Sequence, residues 1–189
     1  MMNTDIAAPE TPRDPQLIIR RASLSELPVI AALAYRIWPE AYGEIISETQ
    51  ISYMLEQSYA IAALERQFHS GNIFLIAFLQ EEPVGFASYS STPDPFVYKT
   101  HKLYVLPSIQ KKGIGKAMLE TIFNNARFAG ATAVQLNVNR NNKARFFYEK
   151  IGFRAVKEVD IPIGRDFFMN DYVMEKNISR GIISADGKE

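Results

Sequence analysis

The segment LYVLPSIQKKGIGKA, residues 103–117, constrains the fold and chemistry of this chain more than any other. Leu103, Tyr104 and Val105 read as the end of a strand, and Pro107 starts a turn. A loop of Gln110, Lys111, Lys112, Gly113, Ile114 and Gly115 then opens straight into a helix. Two glycines one residue apart allow a tight turn and leave backbone N–H groups uncovered. The first helical turn adds N–H groups without internal partners and a partial positive charge. With Lys111, Lys112 and Lys116 alongside, the segment predicts an anion cradle suited to a pyrophosphate.

Two familiar phosphate loops are excluded. The P-loop requires four residues between its glycines and a Lys-Ser/Thr after the second, but Gly115 is followed by Lys116 and Ala117. The dinucleotide fingerprint requires a third small residue where Met118 stands. It also requires an acidic ribose partner, where residues 132–138 give an apolar strand instead.

A second segment, NVNRNNKARFFYEKIGF at 137–153, narrows the ligand. It reads as the end of a strand, a polar turn, and a helix from Lys143 to Lys150 closed by Gly152. Here the chain resembles the GNAT superfamily of acetyl-coenzyme A-dependent N-acetyltransferases. The match is to Q/R-x-x-G-x-G/A from Gln110 to Gly115, after a strand ending in Leu-Tyr-Val. It continues with Asn142, Ala144, Tyr148, Gly152 and Phe153 at family spacing, and the resemblance spans about residues 17–176.

The resemblance implies a mixed α/β sandwich with a mostly antiparallel, twisted central sheet, two splayed strands and flanking helices. It implies acetyl-coenzyme A as cosubstrate and no metal. The pantetheine arm would insert between the splayed strands and bond to the backbone of Leu103, Tyr104 and Val105; exposed strand edges suit its amides. The N–H of Val105 would stabilise the tetrahedral oxyanion. Tyr148 matches the general acid that protonates the departing thiolate. Its helix also carries Ala144, Phe147 and Ile151 on one apolar face, so a core tyrosine is the competing reading. Asn142 caps the helix, contacts the cofactor, or does both. Arg140, Lys143 and Arg145 are candidates for the 3′-phosphate or are solvated surface charges. Many relatives carry a Glu on the strand before the phosphate loop, and this chain has Lys99 and His101 there. His101 is the candidate base, since an imidazole titrates near neutrality; a structural histidine or catalysis through ordered water are the alternatives.

Composition bounds the rest. The chain has 189 residues, 47% of them hydrophobic, enough for one domain with a sizeable core. Twenty-one Lys+Arg balance 21 Asp+Glu, so no net field recruits nucleic acid or an anionic membrane. Without cysteine there is neither a disulfide framework nor a thiol acyl-enzyme. The opening residues lack the basic and apolar regions of a signal peptide, so a cytoplasmic protein is expected, and a homodimer is compatible with the sequence.

The expected organisation is a mobile tail at 1–15, one domain at 16–177 and a polar tail at 178–189. Ser23 or Ser25 caps a first helix that Pro39 ends, and Ser47 to Gln50 reads as a capping box opening a second. Residues 73–78 and 84–89 form a hairpin, and 97–105 is the strand leading to the phosphate loop. The helix from Gly113 to Ala129 carries Ile114, Met118, Ile122 and Ala126 on one stripe. Two more strands follow at 154–161 and 167–175.

The acceptor wall is expected from the first two helices and the last hairpin. Trp38 and Tyr42 would supply an apolar or cation-binding pocket, and Glu40 and Glu44 would attract an ammonium. A hydrophobic helix end with solvated carboxylates is the other reading. Residues 163–174 look similar to the end of bacterial spermidine/spermine-type acetyltransferases. A small-molecule amine such as a polyamine is therefore the expected acceptor. A protein N-terminus or lysine, or a non-catalytic acyl-CoA-binding module, are the alternatives.

Overall fold

The computed structural model describes residues 16–179. The tail expected at 1–15 and nearly all of that at 178–189 lie outside the described residues. Seven strands make one sheet in the order β1-β2-β3-β4-β5-β7-β6. They are β1 Leu17–Arg21, β2 Ile73–Leu79, β3 Glu82–Ser91, β4 Val97–Val105, β5 Ala133–Asn139, β6 Arg154–Gly164 and β7 Phe167–Asn177. The helices are α1 Leu27–Tyr42, α2 Glu48–Tyr59, α3 Ile61–His69, α4 Ile114–Phe128 and α5 Ala144–Lys150. Only β4 and β5 run parallel; the other neighbours are antiparallel. This is the mixed α/β architecture expected from sequence.

Each face of the sheet carries its own core. Ile114, Met118, Ile122 and Ala126 of α4, the stripe legible in the sequence, pack on Leu75, Ala77, Val134 and Leu136. On the other face, Ile30, Ile37 and Trp38 of α1 and Leu55 of α2 pack on Phe74, Ile76 and Phe86. Strand β2 feeds both cores by alternation, which is why it reads as one continuous apolar run.

The helix ends depart from expectation in three places. Helix α1 runs through Pro39 to Tyr42. Proline removes one backbone donor, but Tyr35, four residues back, lies on the exposed side of the helix, and continuing it buries Trp38 and Tyr42. Ser23 caps a short 3₁₀ turn, Leu24–Glu26, that precedes α1. The capping box of α2 is half formed: Ser47 Oγ accepts from the Gln50 N–H at 3.2 Å. The Gln50 side chain leaves instead to donate to the Phe168 carbonyl on β7, at 3.1 Å. At the other end, Ile178 belongs to the domain rather than to a polar tail. It is buried, and its N–H donates to the Thr132 carbonyl at 2.8 Å.

Two irregularities in β4 set up the site. Pairing with β5 runs from Val97–Ala133 to Thr100–Leu136 and then stops, although both strands continue. In the pairing with β3, Ser88 faces Lys102 and Tyr89 faces Thr100, so His101 is the extra residue of a β-bulge. Beyond it the strands splay. Gly85 keeps β3 tight against the free arm of β4. A Cβ there would stand 2.7 Å from the Tyr104 carbonyl oxygen and 3.3 Å from Val105 Cα. Gly85→Ala should therefore push β4 into the cleft and destabilise the fold by about 1–3 kcal/mol, the usual cost of overpacking. A denaturant midpoint equal to that of the parent protein would contradict this.

Candidate active site

A bulge changes which side chains share a face. Before it, Tyr98 and Thr100 pair toward the α4 face, where Tyr98 packs on the core beside Tyr89. After it, Leu103 and Val105 take that face, and Tyr104 turns to the face covered by α1 and α2. There Tyr104 completes an aromatic cage. Its ring centroid lies 5.4 Å from Phe86, 5.9 Å from Trp38 and 6.4 Å from both Tyr42 and Tyr59. The Tyr42 and Tyr104 hydroxyls are hydrogen-bonded at 3.0 Å. Burial pushes the pKa of both phenols well up, so both stay protonated.

Tyr148 lies in the other core, on the α4 face of the sheet. Helix α5 packs with the α4 core, and Tyr148 is buried there against Phe147 and Phe153. Its hydroxyl is nevertheless close enough to Tyr42 and Tyr104 for its charge to act on both. Burial also raises the Tyr148 pKa, which keeps a proton on its oxygen. Asn142 N-caps α5, its Oδ1 accepting from the Ala144 N–H at 2.8 Å. Arg140 is engaged by Glu158 and Asp160 on β6, and Arg145 pairs with Glu149 at 3.0 Å. Lys143 is exposed.

The backbone of β4 is open toward the gap. The Leu106 N–H bonds back to the Val84 carbonyl on β3 at 2.9 Å. By antiparallel alternation the amides of Leu103 and Val105 point away from β3, into the cleft. The Val105 carbonyl accepts from Gln110 Nε2 at 3.3 Å, which agrees with that direction. The glycine loop closes the same end. Gly113 adopts φ +80 and nothing lies within 4 Å of where its Cβ would be. No side chain caps α4, and its first turn holds no acidic residue. Gly115 sits beside Phe147 and Val105, tying the cradle to the cleft. Lys111, Lys112 and Lys116 are exposed around it, while Ile114 points into the core. An open cradle at an uncapped helix start, leading to an unpaired strand edge, fits a pyrophosphate followed by an amide-bearing arm.

The expected aromatic-plus-carboxylate pocket is not assembled as such. Trp38 and Tyr42 are buried in the cage, whereas Glu40 and Glu44 are exposed. Glu40 is two residues from each ring on a helix, hence on its far side. His101 keeps an exposed edge, and its Nε2 lies 2.8 Å from Ser90 Oγ. Partial desolvation, then the charges of Lys102 and Lys99, push its pKa down to about 4. The solvent-facing edge moderates the first of these causes. The ring is thus neutral at physiological pH and binds a proton weakly.

Four residues not singled out in the sequence border the cage or its floor: Tyr59, Lys102, Asn137 and Asp171. Lys102 Nζ sits 4.8 Å above the Tyr59 ring, and burial lowers its pKa to about 8. The cage is roofed. Besides the Gln50 bond, Tyr53 of α2 donates to the Ile163 carbonyl at 2.7 Å and stacks near Phe167 and Arg165. Helix α2 thereby clasps the β6–β7 hairpin over the cleft. No group of three or more His, Asp or Glu among the described residues is placed to hold a metal ion. No helix among them is long and apolar enough to cross a membrane.

A cleft between splayed strands, with a phosphate cradle at one end and a buried phenol at the other, defines an acyl-coenzyme A-dependent transferase. The chain belongs to the acetyltransferase (GNAT) family, whose model matches residues 31–153. It is 29% identical over 157 residues to a spermidine N(1)-acetyltransferase of Thermoplasma acidophilum, covering 80% of this chain and 94% of the relative. The crystal structure of PaiA N-acetyltransferase from Thermoplasma acidophilum in complex with coenzyme A superposes with a TM-score of 0.72 at 26% identity. That match covers 86% of this chain and 99% of the other. A shorter match, 42% identical over 57 residues, is to the ribosomal protein bS18-alanine N-acetyltransferase of Haemophilus influenzae, covering 30% of this chain and 37% of the relative.

Two measurements test this geometry. Gly113→Asp tolerates the left-handed conformation but sets a carboxylate in the cradle. It should weaken acetyl-coenzyme A binding roughly tenfold or more while the protein stays folded, as read by calorimetry. Lys102 binds fewer protons folded than unfolded between pH 8 and 10.5, so stability lost at neutral pH is regained as pH rises through that window. Lys102→Met should accordingly raise stability at pH 7 by about 1–3 kcal/mol, with the gain shrinking toward pH 10.5. A gain independent of pH would show that the lysine is not desolvated.

Proposed function

We propose that the protein transfers the acetyl group of acetyl-coenzyme A to a small primary amine, a polyamine being the acceptor class it fits best, with Tyr148 as general acid. The carrying observation is the unpaired edge of β4 beyond Thr100, leading to the open glycine cradle at Gly113, with the protonated Tyr148 phenol buried in the same core as Leu103 and Val105. The complex of the Thermoplasma PaiA enzyme with coenzyme A supports the cosubstrate, and the spermidine-acetylating relative supports the acceptor class.

The thioester supplies an activated acetyl carbon and a thiolate leaving group of pKa ~8.5. The chain's residues do the rest. The cradle from Gln110 to Lys116 holds the pyrophosphate, and the backbone of Leu103 and Val105 aligns the arm along β4, while that of Tyr104 is turned to β3. The Val105 N–H, aimed into the cleft, is suited to the oxyanion formed when the amine adds to the carbonyl. Tyr148 donates a hydrogen bond to the sulfur as the C–S bond breaks. Its raised pKa means that full transfer is coupled to proton loss from the attacking nitrogen, whose proton restores the phenol. One proton thus ends on the thiol.

The α2 clasp over the cleft supports a small acceptor rather than a polypeptide, which needs an open groove. The bS18-alanine acetylating relative keeps a protein N-terminus as the second reading, over a much shorter match. An amine panel with acetyl-coenzyme A, following thiol release, separates the two. Polyamines should be acetylated and peptides with a free N-terminus should not; the reverse pattern overturns the small-amine reading. Tyr148→Phe should lower kcat roughly ten- to a thousandfold and leave acetyl-coenzyme A binding nearly unchanged. Full activity in that variant would make Tyr148 a packing residue.

A further inference from the structure

One cation inside the protein has no counter-charge. Lys102 is 9% exposed, and its Nζ makes no hydrogen bond or ion pair with any described residue. It has an aromatic face instead, the Tyr59 ring, whose centroid lies 4.8 Å from Nζ. Nζ is not among the partnerless polar atoms sealed from solvent, so a molecule the size of water reaches it. The bulge sets this side chain at the start of the splay. Lys102 follows the extra residue His101 and pairs with Ser88 on β3. It shares a face with Tyr104, two residues on, which is the face of the aromatic cage. Between the two stands Leu103, whose N–H points away from β3 into the cleft. Lys102 therefore borders the free edge of β4, one residue, about 3.4 Å of strand, from that N–H.

Burial without a counter-ion penalises the charged form of an amine and spares the neutral one. The Lys102 pKa falls to about 8 for that reason. Its neighbours do not restore the charge. Tyr59 of α2, Tyr104 of β4 and Tyr42 of α1 stay protonated, because burial raises their pKa values. Ser88 of β3 does not ionise. The ring of His101 is neutral, its pKa held at about 4 by desolvation and by the charges of Lys102 and Lys99. His101, the base expected from sequence, thus holds a proton too weakly to take one from an ammonium of pKa ~10. Lys102 is much the stronger base of the two, and near neutrality part of it is already unprotonated.

We propose that Lys102 is the general base of the reaction, its neutral amine taking a proton from the acceptor's ammonium group. The Nζ lone pair accepts that proton, and the acceptor becomes a free amine. Its nitrogen adds to the thioester carbonyl, so that the C–N bond forms and the C–S bond breaks. The second ammonium proton replaces the one that Tyr148 gives to sulfur, and the third stays on the amide. Lys102 then returns its proton to water through the opening at Nζ. An ammonium and a thioester thus give an amide, a thiol and one proton, which balances. Neutral Lys102 also does not repel a cationic acceptor, whereas a permanent cation there would. This rests on the amine acceptor proposed above.

The test is the pH profile of kcat/KM for spermidine at saturating acetyl-coenzyme A, in the full chain and in its Lys102→Met and Lys102→Arg variants. A base that takes its proton from the ammonium makes the parent profile rise to about pH 8 and then level off. Lys102→Met can use only free amine, so its profile should keep rising toward the amine's own pKa of ~10. Near neutral pH its kcat/KM should be lower roughly ten- to a hundredfold, with the KM for acetyl-coenzyme A within about twofold. Lys102→Arg keeps the charge and should fall at least as far, whereas it would rescue a cation that merely packs on Tyr59. The melting temperature of Lys102→Met should hold or rise, since an unpaired buried cation is removed. A Lys102→Met profile that levels off where the parent's does, or full activity in Lys102→Arg, overturns the assignment. So does a parent profile that climbs unbroken to pH ~10. Where lysine peptides react and spermidine does not, the small-amine reading alone fails, and the same profiles on such a peptide decide for or against Lys102. Turnover of neither by the parent overturns both.

Discussion

Strands β4 and β5 are held together over only four residue pairs, Val97–Ala133 to Thr100–Leu136, and nearly everything about the site follows from their parting. The bulge at His101 falls one residue after the last of these pairs. Bulges increase local twist and bend the strand that carries them, while β5 stays straight because seven residue pairs bind it to β7. One strand bends and the other cannot, so a wedge opens between them. The same extra residue reverses the side-chain parity of β4. Without it Tyr104 would face α4, the Tyr42–Tyr104 bond could not form, and the free amides of Leu103 and Val105 would belong to an ordinary paired strand.

The wedge also explains why so much polar chemistry lies inside the protein. Tyr42, Tyr59, Tyr104 and Tyr148 are all desolvated enough for their pKa values to rise. Of their hydroxyls, the Tyr42–Tyr104 bond is the one made between side chains at ordinary length. Trp38 Nε1, Ser88 Oγ and Thr100 Oγ1 are buried without partners nearby. Unsatisfied polar groups cost stability in a low-dielectric setting. They stand on both faces of the sheet, among residues that are otherwise apolar.

The parts of the fold legible in the sequence are those set by local rules. Strand β4 has the bounds expected of it, 97–105, because β-branched and aromatic residues run between a proline-rich loop and a glycine loop. The stripe on α4 and the uncapped start at Gly113 follow from spacing and from glycine alone. What stayed hidden depends on partners distant in sequence. A one-residue bulge leaves no mark in a strand pattern, so Lys102 and the Tyr104 side chain could not be assigned a face. Gln50 reads as half of a capping box, and only the presence of Phe168 shows why its side chain leaves. Asp171 follows another polar residue, Asn170, and two adjacent polar residues ordinarily mark a solvated stretch. Burial comes from Asn137 and Asn139 on β5 and from the helix-covered face, neither of which is local to it. Proline at 39 misled for the opposite reason: a strong local rule was overridden by the burial of Trp38 and Tyr42 beyond it.

The β6–β7 hairpin is held to the rest of the fold by one short helix, α2. The turn at the hairpin tip places Arg165 and Asp166 at positive φ, after Gly164 at φ +97. A side chain at Gly164 would stand 2.5 Å from the Tyr53 hydroxyl, so glycine there serves both the turn and the close approach of α2. Tyr53 then bonds to Ile163 and Gln50 to Phe168, one on each strand of the hairpin. Two bonds on opposite strands prevent the hairpin from rocking about either one. The β6 strand itself is exposed along almost its whole length and gains little from packing, so the clasp, rather than a core, holds the tip in place. The position of the hairpin tip therefore rests on two side-chain bonds from α2. Loosening them is the structural change that would widen the cleft without touching the acyl-coenzyme A half of the site.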